Sequence, residues 1–182
     1  MRIDKARGSW ADTASQKKWL PYLSDPKINF KVTDYTNKYN PDYVEDIHKM
    51  SFPDESIDAI FCIAVLEHVY DPKKAAEEII RVLKKDGLAF IYIPFLYRYH
   101  AHNEDYRDYF RYSKDGINYL FRECSSIEIC PVRGIFESLL KFTPFYKIVP
   151  FCLFARFLDH CCGRMRQTSE IQTSGYHVFI RK

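Results

Sequence analysis

Hydrophobic and polar residues alternate from Ile28 to Val32, a pattern that predicts a β-strand ending beside Asp34. A shorter strand is predicted at Tyr43–Ile47, after a turn-rich loop. From Ile57 to Val65 the chain is almost continuously apolar. Such a run is typical of a strand that is covered on both faces of a parallel sheet.

The segment after this strand carries the clearest helical pattern in the chain. Asp71 is placed to cap the helix, and Pro72 occupies its first position, where a missing N–H costs nothing. Gly87 is predicted to end the helix, and Leu88–Phe95 then has the composition of another buried strand. One face of the helix is apolar at helical spacing: Ala76, Ile79, Ile80 and Leu83. A strand, a helix and a strand in this order form a βαβ crossover, which requires parallel strands and a right-handed connection.

The rest of the chain predicts further helices and strands of the same kind. Ser113 is placed to cap a second helix, and strands are predicted at Ser126–Val132 and Tyr176–Arg181. We expect a single domain over residues 1–182, with a helical insertion at about 135–162 before the last strand.

The insertion is rich in phenylalanine, from Phe136 to Phe157. Packing as core and lid is the simplest interpretation. The alternative is a weak contact with a membrane surface, or a contact between copies of the chain in a homo-oligomer. The longest apolar run, Ile148–Ala155, contains Pro150 and is too short to span a bilayer, so no transmembrane segment is predicted.

Composition narrows the classes of function. A chain of 182 residues with 47% hydrophobic and 16% aromatic content is not a disordered segment. Its 27 basic and 24 acidic residues give a net charge of +3, which is too balanced to indicate a nucleic-acid partner. The six cysteines form no C-x-x-C pair, and Met1–Asp25 lacks the apolar core of a signal peptide. We therefore expect a cytoplasmic protein with reduced thiols.

A block of motifs lies between Asp46 and Pro94: D-I-H-K-M-S-F-P-D-E-S-I-D-A-I, V-L-E-H-V, D-P and R-V-L-K-K-D-G. This order resembles class I S-adenosylmethionine-dependent methyltransferases of the methyltransferase type 11-like group, over about residues 28–132 and weakly over 175–182. The resemblance implies an α/β, Rossmann-like methyltransferase fold with a mostly parallel sheet and an antiparallel last strand. It also implies S-adenosylmethionine as the cofactor, bound outside the carboxyl ends of the strands.

The resemblance implies roles for individual residues. Asp34 matches the acidic residue that binds the ribose hydroxyls, where a carboxylate can accept two charge-assisted hydrogen bonds from a diol. Asp46 matches the acidic residue near the adenine amino group. Four further residues would contact the adenine ring or the methionine moiety: Ile47, His48, Ala64 and Val65. Without the family context, Asp34 and Asp46 are more simply interpreted as turn-forming residues at strand ends.

The glycine-rich turn of the family is missing or degenerate. Only Gly8 lies in the window before Asp34, and no apolar strand precedes it. Glycine is needed in that turn so that the backbone can approach the cofactor without a Cβ clash. We therefore expect a sheet that lacks its first strand, through truncation or a misplaced start, or a chain that has lost cofactor binding.

The missing turn also motivates an alternative function. A truncated or degenerate methyltransferase fold would act as a non-catalytic interaction module through an unpaired sheet edge. A nucleotide-dependent oxidoreductase is disfavoured because no G-x-G-x-x-G follows a predicted strand.

The segment after Pro94 is dense in polar and aromatic groups: F-L-Y-R-Y-H-A-H-N-E-D-Y-R-D-Y-F-R-Y-S. It resembles a segment of a methyltransferase branch associated with bacterial surface-sugar biosynthesis, which implies a small-molecule or saccharide acceptor. An oxygen acceptor needs a base within hydrogen-bond reach, and the candidates are His100, His102 and Asp105. Four neighbours are suited to lining a polar or anionic substrate: Tyr106, Arg107, Tyr109 and Arg111.

Two histidine motifs have alternative interpretations. His100-x-His102 with Asp105 is also a pattern of metal ligands, but two histidines on a loop are a weak signal, so no metal site is predicted. His68 is interpreted as a structural residue that docks in a turn, with a catalytic base as the alternative.

Overall fold

Seven strands form one sheet in the computed structural model, which describes residues 2–3, 28–101, 106–162 and 172–182. In chain order they are β1 (Arg2–Ile3), β2 (Val32–Asp34), β3 (Tyr43–Val44), β4 (Ile57–Ile63), β5 (Leu83–Pro94), β6 (Ser126–Pro131) and β7 (Gly175–Arg181). Their order in space is β3-β2-β1-β4-β5-β7-β6.

The strand directions agree with the predicted fold class. The pairs β1–β2, β2–β3, β1–β4 and β4–β5 are parallel. The last strand, β7, runs antiparallel to both β5 and β6, with Leu88 opposite Arg181 and Pro94 opposite Gly175. A mostly parallel α/β sheet with an antiparallel last strand is therefore confirmed.

The expectation of a missing first strand needs correction. Arg2 lies opposite both Val32 of β2 and Phe61 of β4, so the two-residue β1 fills the position between these strands. A strand of two residues is too short to show the alternation of hydrophobic and polar residues, so the sequence pattern could not reveal β1. The rest of the predicted glycine-rich window, including Gly8, lies outside the described residues.

Four α-helices accompany the strands in the described part of the chain: α1 (Pro72–Val82), α2 (Lys114–Leu120), α3 (Ile135–Leu140) and α4 (Val149–Cys162). Short 3₁₀ helices lie at Asn37–Tyr39, Leu66–His68 and Pro144–Lys147. Both predicted helix caps are confirmed. The Asp71 carboxylate accepts the backbone N–H of Lys74 at 3.1 Å, and the Ser113 hydroxyl accepts that of Gly116 at 3.2 Å.

The predicted end of α1 at Gly87 is wrong. The helix ends at Val82, and Leu83 is already extended as the first residue of β5. The β4–β5 register shifts between the pair Ile57–Leu83 and the pair Ala59–Leu88, so the intervening residues of β5 bulge out. Asp86, with φ of 61°, takes the left-handed conformation there. Gly87 is required for close approach instead, because a Cβ would lie 2.8 Å from the Lys84 carbonyl.

The core lies between the sheet and helices α1 and α2. From the helices, Ala76, Ile79 and Ile117 are fully buried in it. Strand β4 is less covered than its apolar sequence predicts. Ile60 and Cys62 are buried, whereas Phe61, which points the other way, is 36% exposed.

Helices α3 and α4 follow β6 and precede β7 in the chain. The proline at position 150 lies in the first turn of α4, where it needs no hydrogen-bond partner, and so does not break the helix. Helix α4 leaves large apolar side chains exposed, among them Phe151, Phe154 and Phe157. In the described part of the chain, no helix combines the length and the hydropathy needed to cross a bilayer.

Candidate active site

The carboxyl ends of β2, β4 and β5 lie at one edge of the sheet, because these strands run parallel with β1 between β2 and β4. Asp34 is the last residue of β2, Ala64 follows β4, and Phe95 follows β5. In open α/β sheets, ligands bind outside this edge, where the connections diverge. Of the predicted site residues, Asp34 and Ala64 therefore lie at the edge of the sheet where such a site is expected.

Asp34 is held firmly at this edge. The residue is only 6% exposed, and its Oδ1 accepts the backbone N–H of Thr36 at 2.9 Å. Its backbone carbonyl accepts the N–H of Glu45 at 2.8 Å, which ties the end of β2 to the segment that leads into Asp46. The chain thus brings its two predicted cofactor-binding carboxylates into neighbouring turns.

Asp46 and His48 form a closed turn. Asp46 Oδ1 accepts the His48 backbone N–H at 2.9 Å and lies 2.7 Å from His48 Nδ1. The His48 ring stacks on Tyr70, with ring centroids 4.0 Å apart. Ile47, which lies between Asp46 and His48 in the sequence, is buried in the core. Burial raises the pKa of Asp46, but the hydrogen bonds from His48 outweigh it and leave the pKa lowered. The carboxylate is therefore ionised at neutral pH, and its side chain, 43% exposed, remains accessible to a ligand.

The exit of β4 has an unusual backbone. Ala64 adopts φ of 54°, in the left-handed region that residues with a Cβ rarely occupy, while its N–H donates to the Tyr92 carbonyl at 3.0 Å. Val65 then caps the 3₁₀ helix Leu66–His68. Strain of this kind persists only where surrounding structure enforces it, and it is often found at functional sites.

Residues 109–112 fix this 3₁₀ helix from outside. The Glu67 carbonyl accepts the N–H groups of Tyr109 at 2.8 Å and Phe110 at 3.2 Å. The buried Tyr112 hydroxyl donates to the Leu66 carbonyl at 2.7 Å. Burial raises the pKa of Tyr112, so the hydroxyl keeps its proton and stays a donor.

Glu67, His68 and His100 meet in what we call the Glu67 cluster. The Glu67 side chain is fully buried, and its Oε1 lies 3.5 Å from His68 Nε2 and 3.6 Å from His100 Nε2. Among the described residues, neither Glu67 carboxylate oxygen has a hydrogen-bond partner. Buried polar groups in folded proteins nearly always have hydrogen-bond partners, so the lack of one at the Glu67 carboxyl group requires an explanation.

The other ring nitrogens of the cluster point to carbonyl groups. His68 Nδ1 lies 2.5 Å from the Arg107 carbonyl, and His100 Nδ1 lies 2.9 Å from the Arg98 carbonyl. A carbonyl only accepts, so each Nδ1 carries a hydrogen and donates it. In the neutral rings the lone pair is then on Nε2, the atom that faces Glu67.

Asp108 and Arg111 support His100. Asp108 Oδ2 accepts the His100 backbone N–H at 2.8 Å, and Arg111 donates to both oxygens of the same carboxylate, with Nη2 at 2.7 Å from Oδ2. Burial raises the pKa of Asp108, but the hydrogen bonds from Arg111 and from the His100 backbone outweigh it and lower the pKa to about 2. Arg111 also donates to the Arg98 carbonyl at 2.9 Å, so the pair fixes the loop that carries His100.

An open groove of about 280 Å³ lies beside the Asp108–Arg111 pair. Its lining is aromatic and charged: Tyr97, Tyr99, Asp108, Tyr109, Phe110 and Arg111. Tyr97 also contacts the His100 ring, with centroids 5.1 Å apart, so the groove reaches the Glu67 cluster.

The structure brings only some of the predicted acceptor-side residues together. His100 lies in the Glu67 cluster, whereas His102 and Asp105 lie outside the described residues. The Tyr106 ring lies 4.4 Å from the His68 ring, and Arg107 contributes its backbone carbonyl.

Two residues of this site were not singled out from the sequence, Glu67 and Asp108. A charged residue directly after an apolar strand was the available signal for Glu67. For Asp108 the signal was the i, i+3 spacing to Arg111, which pairs side chains only once the surrounding loop is folded.

Comparison with known proteins agrees with this geometry. Residues 23–91 match the family model described as a methyltransferase domain. No curated protein matches the chain significantly in sequence. Among solved structures, a SAM-dependent methyltransferase from Archaeoglobus fulgidus is similar with a TM-score of 0.57 and 12% identity, covering 92% of this chain and 82% of that one.

Two further structures are similar. A SAM-dependent methyltransferase from Thermotoga maritima, described as a possible histamine N-methyltransferase, has a TM-score of 0.53 and 15% identity over 92% of this chain and 77% of its own. The phosphoethanolamine N-methyltransferase 2 of Haemonchus contortus, solved with phosphomonomethylethanolamine and S-adenosylhomocysteine, has a TM-score of 0.50 and 12% identity over 99% of this chain and 47% of its own. At such identities the likeness shows the fold, and the family model adds the type of domain.

Residues 23–91 have the sequence of a methyltransferase domain, and the fold of the described residues is that of SAM-dependent methyltransferases. The resemblance of the Asp46–Pro94 block to methyltransferases is thereby confirmed, and S-adenosylmethionine is the cofactor that this type of domain implies. The described residues fit the adenosyl half of that molecule. Asp34 and Asp46 carry carboxylate oxygens, which are acceptors, whereas a diol and an amino group are donors.

Proposed function

We propose that this methyltransferase transfers the methyl group of S-adenosylmethionine to an oxygen of a small-molecule acceptor, with a saccharide hydroxyl as the preferred class. The observation that carries the proposal is the position of His100. The ring belongs to the Glu67 cluster and contacts Tyr97, which lines the aromatic, charged groove. His100 follows β5, whose carboxyl end lies at the same edge of the sheet as that of β2, which ends at Asp34.

On the cofactor side, the Asp34 carboxylate would accept hydrogen bonds from the two ribose hydroxyls. Asp46 would accept one from the adenine amino group, and the turn it forms with His48 keeps the carboxylate in place. The remaining contacts are proposed for Ile47 and His48 beside the adenine ring and for Ala64 and Val65 beside the methionine moiety. When bound, the cofactor supplies a methyl group on a positively charged sulfur.

On the acceptor side, the groove suits a saccharide. Exposed tyrosine rings such as Tyr99 and Tyr109 present apolar faces for the C–H surface of a sugar, and their hydroxyls can hydrogen-bond to its oxygens. The protein's main tasks in an in-line displacement are to align acceptor and methyl group and to exclude water.

The acceptor hydroxyl loses its proton during transfer, so it needs an activating group within hydrogen-bond reach. We place this hydroxyl at Nε2 of His100, whose side chain is 23% exposed, whereas Glu67 and His68 are covered beneath it. His102 and Asp105 remain predicted bases.

Calorimetric titration with S-adenosylhomocysteine tests the cofactor side. We expect saturable binding by the wild-type chain and at least tenfold weaker binding by Asp34→Ala. Asp58→Ala is the matched control, because its carboxylate pairs with Lys84 at the opposite end of β4. Absence of binding at millimolar ligand would remove the proposal.

Release of S-adenosylhomocysteine tests the acceptor side. Mono- and disaccharides with free hydroxyls are compared with amines and carboxylic acids under the same conditions. Turnover of amines alone would contradict the oxygen acceptor while leaving methyl transfer intact.

A further inference from the structure

The Glu67 cluster contains a buried carboxyl group that no hydrogen bond from the described residues satisfies. The Glu67 side chain is fully buried, and its carboxylate oxygens have no hydrogen-bond partner among the described residues. The guanidinium of Arg111 is already engaged by Asp108. Burying a polar group without a hydrogen-bond partner costs free energy, and coordination of a cation would satisfy the buried oxygens.

The three side chains of the cluster are spaced as metal ligands are. One donor atom from each of Glu67, His68 and His100 lies within 4.8 Å of the others. The distances from Glu67 Oε1 to the two Nε2 atoms are 3.5 Å and 3.6 Å. Ligands about 2.0–2.1 Å from a tetrahedral zinc ion lie roughly 3.3–3.4 Å from each other. The two distances from Glu67 Oε1 are therefore within a few tenths of an ångström of the spacing around such an ion.

The surroundings orient both rings for coordination. Each Nδ1 donates its hydrogen to a backbone carbonyl, that of Arg107 or of Arg98, and this leaves the Nε2 lone pair directed at the cluster. Asp108 Oδ2 also lies 3.2 Å from His100 Nδ1. Metal-binding histidines characteristically donate their second N–H to a carbonyl or carboxylate in this way.

We propose that Glu67, His68 and His100 bind a single divalent transition-metal ion, Zn²⁺ being the best fit to one carboxylate and two imidazoles. Three protein ligands leave a fourth position open, as in catalytic rather than structural zinc sites. Entry is from the side of His100, the one member of the cluster with appreciable exposure, at 23%.

The chemical role of the ion rests on the proposed function, whereas its binding does not. A hydroxyl coordinated at the open position becomes a stronger acid, so its proton leaves to solvent more readily. His100 then acts as a ligand, and the acidity of the bound hydroxyl replaces the need for a free imidazole base.

Metal content of the full chain tests the site without reference to activity. Chain freed of metal with a chelator is dialysed against Zn²⁺ and analysed by mass spectrometry, and against Co²⁺ for visible absorption. We expect one ion per chain, the absorption of a four- or five-coordinate nitrogen and oxygen site, and at least a tenfold loss of affinity in Glu67→Gln.

His100→Ala is the second variant, because its partly exposed side chain can be removed even if Glu67→Gln fails to fold. It too should lose the ion. The matched control is the double variant Cys161→Ser with Cys162→Ser, which removes the adjacent cysteines of α4 and should retain full binding. Loss of the ion in this control, or thiolate absorption with Co²⁺, would assign the metal to the cysteines and overturn the proposal.

Titration with S-adenosylhomocysteine on the same samples separates the two proposals. Zinc binding without cofactor binding would leave the metal site standing and remove methyl transfer. Cofactor binding by a chain that takes up no ion at millimolar Zn²⁺ or Co²⁺ would overturn the metal site alone.

Discussion

Asp46 Oδ1 lies 2.7 Å from Nδ1 of His48 and also accepts the His48 backbone N–H at 2.9 Å. Because a carboxylate only accepts, the hydrogen of the neutral ring is on Nδ1, and Nε2 is left as an acceptor 3.4 Å from the backbone N–H of Asp71. One carboxylate thus connects the proposed adenine-binding turn, through His48, to the cap of α1.

Replacing Asp46 should weaken both this turn and cofactor binding. Asp46→Ala removes two hydrogen bonds, and we expect a loss of about 1 kcal/mol in unfolding free energy, since the carboxylate is partly exposed. Affinity for S-adenosylhomocysteine should fall in parallel. Urea denaturation and calorimetry measure the two effects. Asp58→Ala, at an exposed ion pair, should change neither, and equal effects in both variants would contradict the assignment of Asp46.

Gly175 begins β7 in a position with no room for a side chain. A Cβ there would lie 2.5 Å from the Ile93 carbonyl and 3.1 Å from Pro94 Cα, both backbone atoms. We expect Gly175→Ala to destabilise the protein by about 1–3 kcal/mol in urea denaturation, since the strands must move apart.

The control for Gly175 is Gly116→Ala in α2. A Cβ at Gly116 has its nearest neighbour at 3.5 Å, the Ser113 hydroxyl oxygen. Alanine there should stabilise the helix by about 0.5–1 kcal/mol. Destabilisation of Gly116→Ala by as much as Gly175→Ala would show that helix packing, and not the β5–β7 contact, limits stability.

Glu78 should make stability depend on pH in the acidic range. Its carboxylate accepts hydrogen bonds from Arg81 and from the Met50 backbone N–H at 2.8 Å. The hydrogen bonds from Arg81 are the main cause of a lowered pKa, below the ordinary value of 4.5. The folded state therefore holds this proton less tightly than the unfolded state. The contribution is complete above pH 4.5 and is lost as the pH falls through the lowered pKa.

Denaturation midpoints measured from pH 7 to pH 3 test this linkage. The fall in stability below pH 4.5 should be shallower in Glu78→Gln. Glu77→Gln is the control, because Glu77 is an exposed neighbour that pairs with Lys73 at 3.6 Å. Identical pH profiles for the wild type and Glu78→Gln would contradict the prediction.

Tyr112 should matter through its hydroxyl alone. Tyr112→Phe keeps the ring but removes the 2.7 Å hydrogen bond to the Leu66 carbonyl in a buried position, so we expect a loss of about 1–2 kcal/mol. If the Glu67 cluster binds Co²⁺, the loosened 3₁₀ helix should also weaken that binding. Tyr119→Phe, at a residue 60% exposed, should leave both unchanged. A Tyr112→Phe chain as stable as the wild type would exclude a structural role for this bond.

Local patterns predicted most of the elements. The caps at Asp71 and Ser113, the strand at β4 and the antiparallel β7 follow from short-range preferences and from the family resemblance. The predicted end of α1 is wrong because a glycine in the left-handed conformation ends a helix only where the chain turns away. Here the chain continues from α1 directly into β5. The two-residue β1 carries too few side chains to produce a pattern.

The amino-acid sequence by itself determined the order of elements, the parallel sheet and the acidic residues after its strands. It could do so because helix and strand periodicity are properties of neighbouring residues. The meeting of Glu67 with His100 could not. It depends on the parallel pairing of β4 and β5 and on the Asp108–Arg111 pair that folds the following loop back. Such contacts between distant residues arise only when whole strands and loops pack together, and the energy of that packing has no signature in a local pattern.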